Sequence, residues 1–272
     1  MQSWLETLGI FILADLGIIL GLLTKKLKKR LWLIGYVIPL LLIILIGLTR
    51  HFYWLSFHRP FSWVCAGRRE YVIFSFAIPM LFSTLIPRIS IFRLKVLIVT
   101  LVTVCSVVFF IIPFVSPILI RKDLENIKTE ISYDGICIQA TDYTCGPAAA
   151  VTALYQLGII ADEGEIAILA YTTPQTGTSD DLLIDAIEKL YSSQGIVCEY
   201  KRFFSIKELK HNCPAIVVTK YSFLIDHYVT VLKVTDDKVI IGNSSSGIEV
   251  LFYEEFEKKW RSVGIIVRKK GF

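Results

Sequence analysis

Acidic side chains are nearly missing from the first half of the chain: of its 24 Asp and Glu residues, three (Glu6, Asp15 and Glu70) precede residue 121. Two stretches of that half, 31–49 and 96–120, carry no charge at all. An ordinary soluble domain is about one-quarter charged throughout, so this half is not one. Metal-site spacing is also lacking. The six cysteines, at 65, 105, 137, 145, 198 and 213, form no CxxC pair, and the four histidines do not complete a zinc pattern. No metal and no cofactor is expected. The phosphate-binding pattern GxxxxGK[ST] does not occur, so ATP-driven transport is not encoded here. The first apolar run has no basic segment before it and no small-residue cleavage site after it, so no cleavable signal peptide is expected and the run reads as a retained span.

What is present is apolar surface in long runs. The 272 residues are 54% hydrophobic, with a mean hydropathy of +0.60. A helix needs about 20 apolar residues to cross the roughly 30 Å hydrocarbon core, because every backbone polar group must be paired within the segment. Four segments meet or approach that length, near 4–23, 31–49, 71–87 and 96–118, and together they make residues 1–120 an all-α transmembrane domain. Pro113 and Pro117 are expected to kink or close the last one. Asp15 interrupts the first. A carboxyl group inside a span marks function by default, and the bland alternatives are protonation or contact with a neighbouring helix. Tyr53, Trp54 and Trp63 read as interfacial aromatics.

The net charge of +5 comes from short basic runs beside these segments, Lys25-Lys26-Leu27-Lys28-Lys29-Arg30 above all. That is a membrane-flank pattern, and no nucleic-acid partner is implied. With four spans, Lys25, Lys26, Lys28, Lys29, Arg30, Arg88, Arg93 and Lys95 share one face, against Arg50, Arg59, Arg68 and Arg69 on the other. The more basic face is cytoplasmic by the positive-inside rule. An integral, multi-pass protein of the cell or inner membrane follows, with everything after residue 120 extracytoplasmic. One span fewer would reverse that side.

Residues 121–272 change character. Residues 146–157 read as a helix stopped by Gly158, 162–170 as a second, and 180–193 as a third capped by Ser179 with Gly195 beyond its end. Five β-branched and aromatic runs follow, at 196–201, 215–220, 227–234, 238–243 and 263–268. Helices first and strands later predict an α+β domain whose helices pack on a largely antiparallel sheet.

The chemistry gathers around Cys145, in Gln139-Ala140-Thr141-Asp142-Tyr143-Thr144-Cys145-Gly146-Pro147-Ala148-Ala149. Gly and Pro suit entry into a helix, where the N–H that Pro lacks would be unpaired anyway. A cysteine at a helix start is held toward its nucleophilic thiolate by the helix dipole and the unpaired N–H groups. The same N–H groups, with the side-chain amide of Gln139, suit a developing oxyanion. Such a thiol needs an imidazole. His227 opens an apolar strand and His211 sits at a polar helix end beside Asn212, so His227 is favoured. Asn243 ends the next strand, and an ideal turn at Asp236-Asp237 sets it opposite Thr230; a bulge or twist is needed to bring it to His227. Asn243 also fits an ordinary loop start before Ser244-Ser245-Ser246-Gly247, and Gly177-Thr178-Ser179-Asp180 is explained by helix capping alone.

Taken together, Gln139, CGPAA at 145–149, Gly177-Thr178-Ser179, His227-Tyr228-Val229 and Gly242-Asn243 resemble cysteine peptidase family 39, the bacteriocin-processing or double-glycine leader peptidases. The resemblance spans about residues 132–268. It implies a papain-like peptidase domain at 121–272, with Cys145 as nucleophile, His227 as base, Asn243 as orienting residue and Gln139 as oxyanion donor. It also implies a peptide or small-protein substrate with a Gly-Gly leader. Two departures stand out. The family commonly has Asp-Pro where this chain has Asn243-Ser244, which removes a negative charge beside the histidine. Its best-known members also carry the peptidase ahead of a transporter, so any transporter here is a separate partner. Two readings compete: a non-catalytic papain-like module that binds a leader peptide, and another cysteine-dependent acyl transferase or amidase. Outside the cytoplasm, two of Cys137, Cys198 and Cys213 could also pair as a disulfide.

Overall fold

The computed structural model describes residues 2–58, 61, 69–222 and 225–270. Trp63 and Cys65, with Arg59 and Arg68 of the same loop, lie outside them. The chain divides into two compact units, Met1–Ser116 and Pro117–Phe272.

The first unit is helical: α1 (Gln2–Leu23), α2 (Ile34–His51), α3 (Arg69–Ser83), α4 (Phe92–Ser106) and the start of α5 (Ile112–Leu119). Three segments, Leu8–Lys26, Leu31–Thr49 and Glu70–Arg88, are long and apolar enough to cross a membrane. The fourth expected span is helical from Phe92 to Leu119 but is not one α-helix. Val107–Ile111 widens into a π-turn between α4 and α5. The cause is Pro113, which has no N–H to give to a carbonyl of the preceding turn. Helices α1 and α3 lie close together because Gly17 and Gly21 are small: a Cβ on Gly17 would strike the Phe76 carbonyl, and one on Gly21 the Ser83 side chain. Asp15 is exposed on α1. Ile12, Leu41 and Leu97 are each about 60% exposed. In water such faces would cost about 25 cal/mol per Å², a cost that hydrocarbon surroundings remove.

The second unit places helices on both faces of a six-stranded antiparallel sheet of order β3-β8-β4-β5-β6-β7. The strands are β3 (Ile196–Arg202), β4 (Ala215–Ser222), β5 (Ile225–Val234), β6 (Lys238–Asn243), β7 (Gly247–Phe252) and β8 (Trp260–Lys269). A two-stranded ribbon, β1 (Glu130–Ile131) with β2 (Cys137–Ile138), stands apart from it. A short helix α6 (Arg121–Glu125) opens the unit. Helix α7 (Cys145–Gln156) is its pivot: every residue from Gly146 to Leu154 is buried. A helix apolar all round has to be enclosed. Helices α8 (Glu163–Leu169) and α9 (Asp180–Tyr191) share its core with Ile216 and Ile265 of the sheet. Alanines at 148, 149, 150 and 153 keep α7 close to the strands, and the Thr230 hydroxyl of β5 donates to the Ala149 carbonyl at 2.8 Å. The opposite face carries α10 (Ile206–Lys210) and α11 (Tyr253–Lys259), packed through Leu209, Phe256 and Trp260 on Val217, Val229 and Ile241.

Two local expectations are corrected, and one open possibility is closed. Ser179 occupies the N-cap position of α9, but its hydroxyl caps nothing: it is buried without a hydrogen-bond partner. The expected five runs are joined by a sixth strand, β7, at the sheet edge. Cys105, Cys137, Cys145, Cys198 and Cys213 are all free thiols, so the disulfide entertained among 137, 198 and 213 is not formed.

Candidate active site

Cys145 is the first residue of α7, where the opening N–H groups have no partner within the helix. Its sulfur accepts the backbone N–H groups of Tyr228, Gly146 and Cys145 itself. Burial nevertheless outweighs those donors and holds the thiol above its ordinary pKa. This corrects the expectation from helix placement alone, because removing a thiolate from water costs more here than the helix start returns. The sulfur therefore rests as a thiol unless a base takes its proton.

The Tyr228 contact bears on the candidate base, His227. Tyr228 follows His227 on β5, so the residue donating to the sulfur is the histidine's direct neighbour. His227 is buried, and its Nε2 lies 2.8 Å from Asn243 Oδ1. The second soluble-half histidine, His211, caps the far end of α10.

A bulge makes the His227–Asn243 contact. Pairing runs regularly from Val234↔Val239 to Lys233↔Ile240, then shifts to Val231↔Ile241, leaving Leu232 without a partner. Asn243 is thereby opposite Val229 instead of Thr230. Side chains alternate along a strand, so a one-residue slip moves the whole set to the other face. Without the bulge Asn243 would share a face with Thr230, toward α7; with it, Asn243 shares the face of Val229 and His227.

Gln139 is held from both sides. Its Oε1 accepts the hydroxyls of Ser244 (2.7 Å) and Ser245 (3.2 Å), its Nε2 donates to the Thr141 carbonyl at 2.8 Å, and its backbone N–H donates to the Ser244 carbonyl. The loop that follows Asn243 thus positions the side chain six residues before the cysteine. One amide hydrogen is used on Thr141, and a carboxamide has two.

Three contributors were not read from sequence. Glu163, at 0% exposure, accepts the Ala140 N–H at 3.0 Å and the Thr144 hydroxyl, and so braces the turn that delivers Cys145. Burial pushes its carboxyl above the ordinary range. Asp180, taken as a helix-start residue only, accepts the Tyr228 hydroxyl at 2.6 Å and also that of Tyr200. Burial pushes its pKa up to about 6, against those two hydrogen bonds, and Asp181 and Asp226 add to the rise. Glu249 on β7 accepts the Asn243 Nδ2–H at 2.8 Å. The alternation Ile248-Glu249-Val250 was the available sign of that strand. No cluster of His, Cys, Asp and Glu able to hold a metal ion occurs among the described residues.

A cysteine at a helix start, linked at its sulfur to the backbone next to His227, and an amide hydrogen-bonded to that imidazole are carried on residues 139–249. A family model described as the Peptidase C39 family matches residues 135–271. The chain belongs to that family. An uncharacterized protein of Methanothermobacter marburgensis is 29% identical to this C39 chain over 148 residues, covering 54% of this chain and 98% of the relative. One from Methanothermobacter thermautotrophicus is 27% identical over 142 residues, covering 52% and 94%. Among solved structures, the double glycine motif protease of an AMS/PCAT transporter in complex with its leader peptide shares 15% identity at a TM-score of 0.43, covering 53% of this chain and 93% of that one. The peptidase domain of Streptococcus ComA shares 21% at 0.45, covering 51% and 100%.

Proposed function

We propose that this C39 chain is a membrane-bound thiol peptidase that cleaves a peptide or small-protein substrate through a thioester on Cys145. The observation that carries the reading is the Cys145 sulfur accepting the N–H of the residue next to His227, whose Nε2 is already engaged by Asn243. His227 Nδ1 then takes the thiol proton, and the sulfur attacks the scissile carbonyl carbon. The oxyanion accepts the Cys145 backbone N–H and an amide hydrogen of Gln139. The carbon–nitrogen bond breaks as the imidazolium gives its proton to the leaving amine. Water, deprotonated by His227, then hydrolyses the thioester and frees Cys145.

Residues 1–120 serve in this reading as a multi-pass membrane anchor and 121–272 as the peptidase domain, on the extracytoplasmic side by the basic-residue bias. Membership of the C39 family, together with the resemblance to double-glycine leader peptidases, makes a Gly-Gly leader the proposed substrate. Such a leader would be presented near the bilayer, with any transporter a separate chain. The test is Cys145→Ala in cells that co-express leader-bearing peptides, together with labelling by a thiol-directed peptidyl probe. Cleavage lost in the variant and label found on Cys145 support the reading. Unchanged processing, or no label on Cys145, sinks it. Product mass separates hydrolysis from other acyl transfer, and a C-terminal reporter read on both membrane faces decides the side.

A further inference from the structure

The neutral Asn243 leaves the imidazole without a charged neighbour at the position where the family resemblance implies an aspartate. A carboxylate stands one hydrogen bond further back. In the β6–β7 ladder Asn243 pairs with Gly247 and Ile241 with Glu249, so Glu249 is the diagonal same-face neighbour of Asn243. Its Oε1 accepts Asn243 Nδ2–H at 2.8 Å and also the Ser246 hydroxyl. On the other side of the same amide, the Ser245 backbone N–H donates to Asn243 Oδ1 at 3.0 Å.

These two contacts fix which end of the amide is which. A backbone N–H can only donate and an ionised carboxylate can only accept, so a flipped Asn243 would face donor to donor and acceptor to acceptor. With Oδ1 fixed toward His227, the imidazole Nε2 at 2.8 Å has to carry its hydrogen, and Nδ1 keeps the lone pair. We propose that Glu249 is a positioning residue of this site: through Asn243 it sets the Nε2–H tautomer of His227 and supplies the negative charge that favours the imidazolium. The inference rests on the peptidase reading for the use made of that imidazole.

The other charged and titratable groups near His227 leave this role open. Asp226 is tied to Arg261 of β8 at 2.8 Å and pairs across the ladder with Lys220. From β4 the Tyr221 ring lies 5.7 Å from the imidazole, and from α7 the Cys145 sulfur meets the backbone N–H of the next residue, Tyr228. Neither presents a carboxylate to Nε2.

The test uses the full-length protein in detergent micelles and needs no substrate. The rate of Cys145 alkylation by iodoacetamide is followed against pH by peptide mass spectrometry, so the other thiols do not interfere. Wild type should show a reactive form well below the ordinary thiol range, the signature of a thiolate–imidazolium pair. In Glu249→Gln the side-chain oxygen can still accept Asn243 Nδ2–H, so shape is kept and charge is lost. The alkaline limit of the reactive form should drop by about half a unit and the rate near pH 6 by about threefold, with the unfolding temperature unchanged. Asn243→Asp alone should be slower than wild type, since two carboxylates then face each other. Asn243→Asp with Glu249→Gln should recover the rate, because a single charge is restored next to the ring. A Glu249→Gln profile that superimposes on wild type, or an Asn243→Asp single variant as fast as the double, overturns the role of Glu249 and leaves the peptidase reading standing. An ordinary single thiol titration in wild type overturns both.

Discussion

Asp180 offers a measurable consequence of burying a carboxylate beside the site. Its pKa stands at about 6 against an ordinary 3.8, with burial as the main cause. The sign follows from proton counting: the folded protein holds on to this proton and the unfolded chain does not. Its contribution to stability is therefore fully present below about pH 4 and is lost as pH rises through about 6. At 1.36 kcal/mol per pH unit the displacement is worth about 3 kcal/mol, an upper bound because neighbouring groups relax. Asp180→Asn keeps an oxygen to accept the Tyr228 hydroxyl and removes the charge. Thermal unfolding of the full chain in micelles, from pH 4 to 7, should show wild type losing stability across that range relative to the variant. At pH 7 the variant should be the more stable by up to about 3 kcal/mol. Parallel curves for the two proteins, or a variant less stable at pH 7 than at pH 4 relative to wild type, would refute the reasoning.

Leu154 is fully buried in the α7 core, so Leu154→Ala should cost about 2–5 kcal/mol in denaturant unfolding. Glu163→Ala strands the Ala140 N–H and the Thr144 hydroxyl, for about 1–3 kcal/mol, and faster amide exchange at Ala140 should report the loosened turn. Deleting Leu232 removes the bulge but keeps the register that follows it, so Asn243 should remain opposite Val229 on the His227 face. Cys145 alkylation near pH 6 should then stay close to the wild-type rate; a fall to the level of Asn243→Ala would show that the bulge itself, beyond the register, holds Asn243 toward His227. Gly17→Val sets a side chain against the Phe76 carbonyl and should lower the unfolding temperature of the first unit, whereas Gly9→Ala, with open space around it, should not.

Much of the site was legible along the chain because its signals are local. A six-residue interval from Gln139 to Cys145, Gly-Pro at a helix start and a histidine opening an apolar strand each depend on near neighbours. The hairpin was legible too, from Thr235-Asp236-Asp237 between two apolar runs. Its register was not: the bulge at Leu232 satisfies the packing of Val231 and Val234 on the lower core, and only that core demands it. Glu249 was hidden for a similar reason. Its strand follows a serine-rich loop and exposes Ile248, Val250 and Phe252, so it resembled surface chain until its pairing with β6 was seen.

Sequence alone pointed to two solvents and one candidate nucleophile. Charge-free runs exclude water from the first half, and a cysteine before Gly-Pro opens a helix whatever the fold around it. Tertiary structure decided the protonation chemistry. Burial pushes the Cys145 thiol up, Asp180 is pushed up to about 6, and Asn243 is turned toward His227 with Glu249 behind it. Each of these depends on desolvation and on partners brought from distant strands, and neither quantity is written in the order of residues.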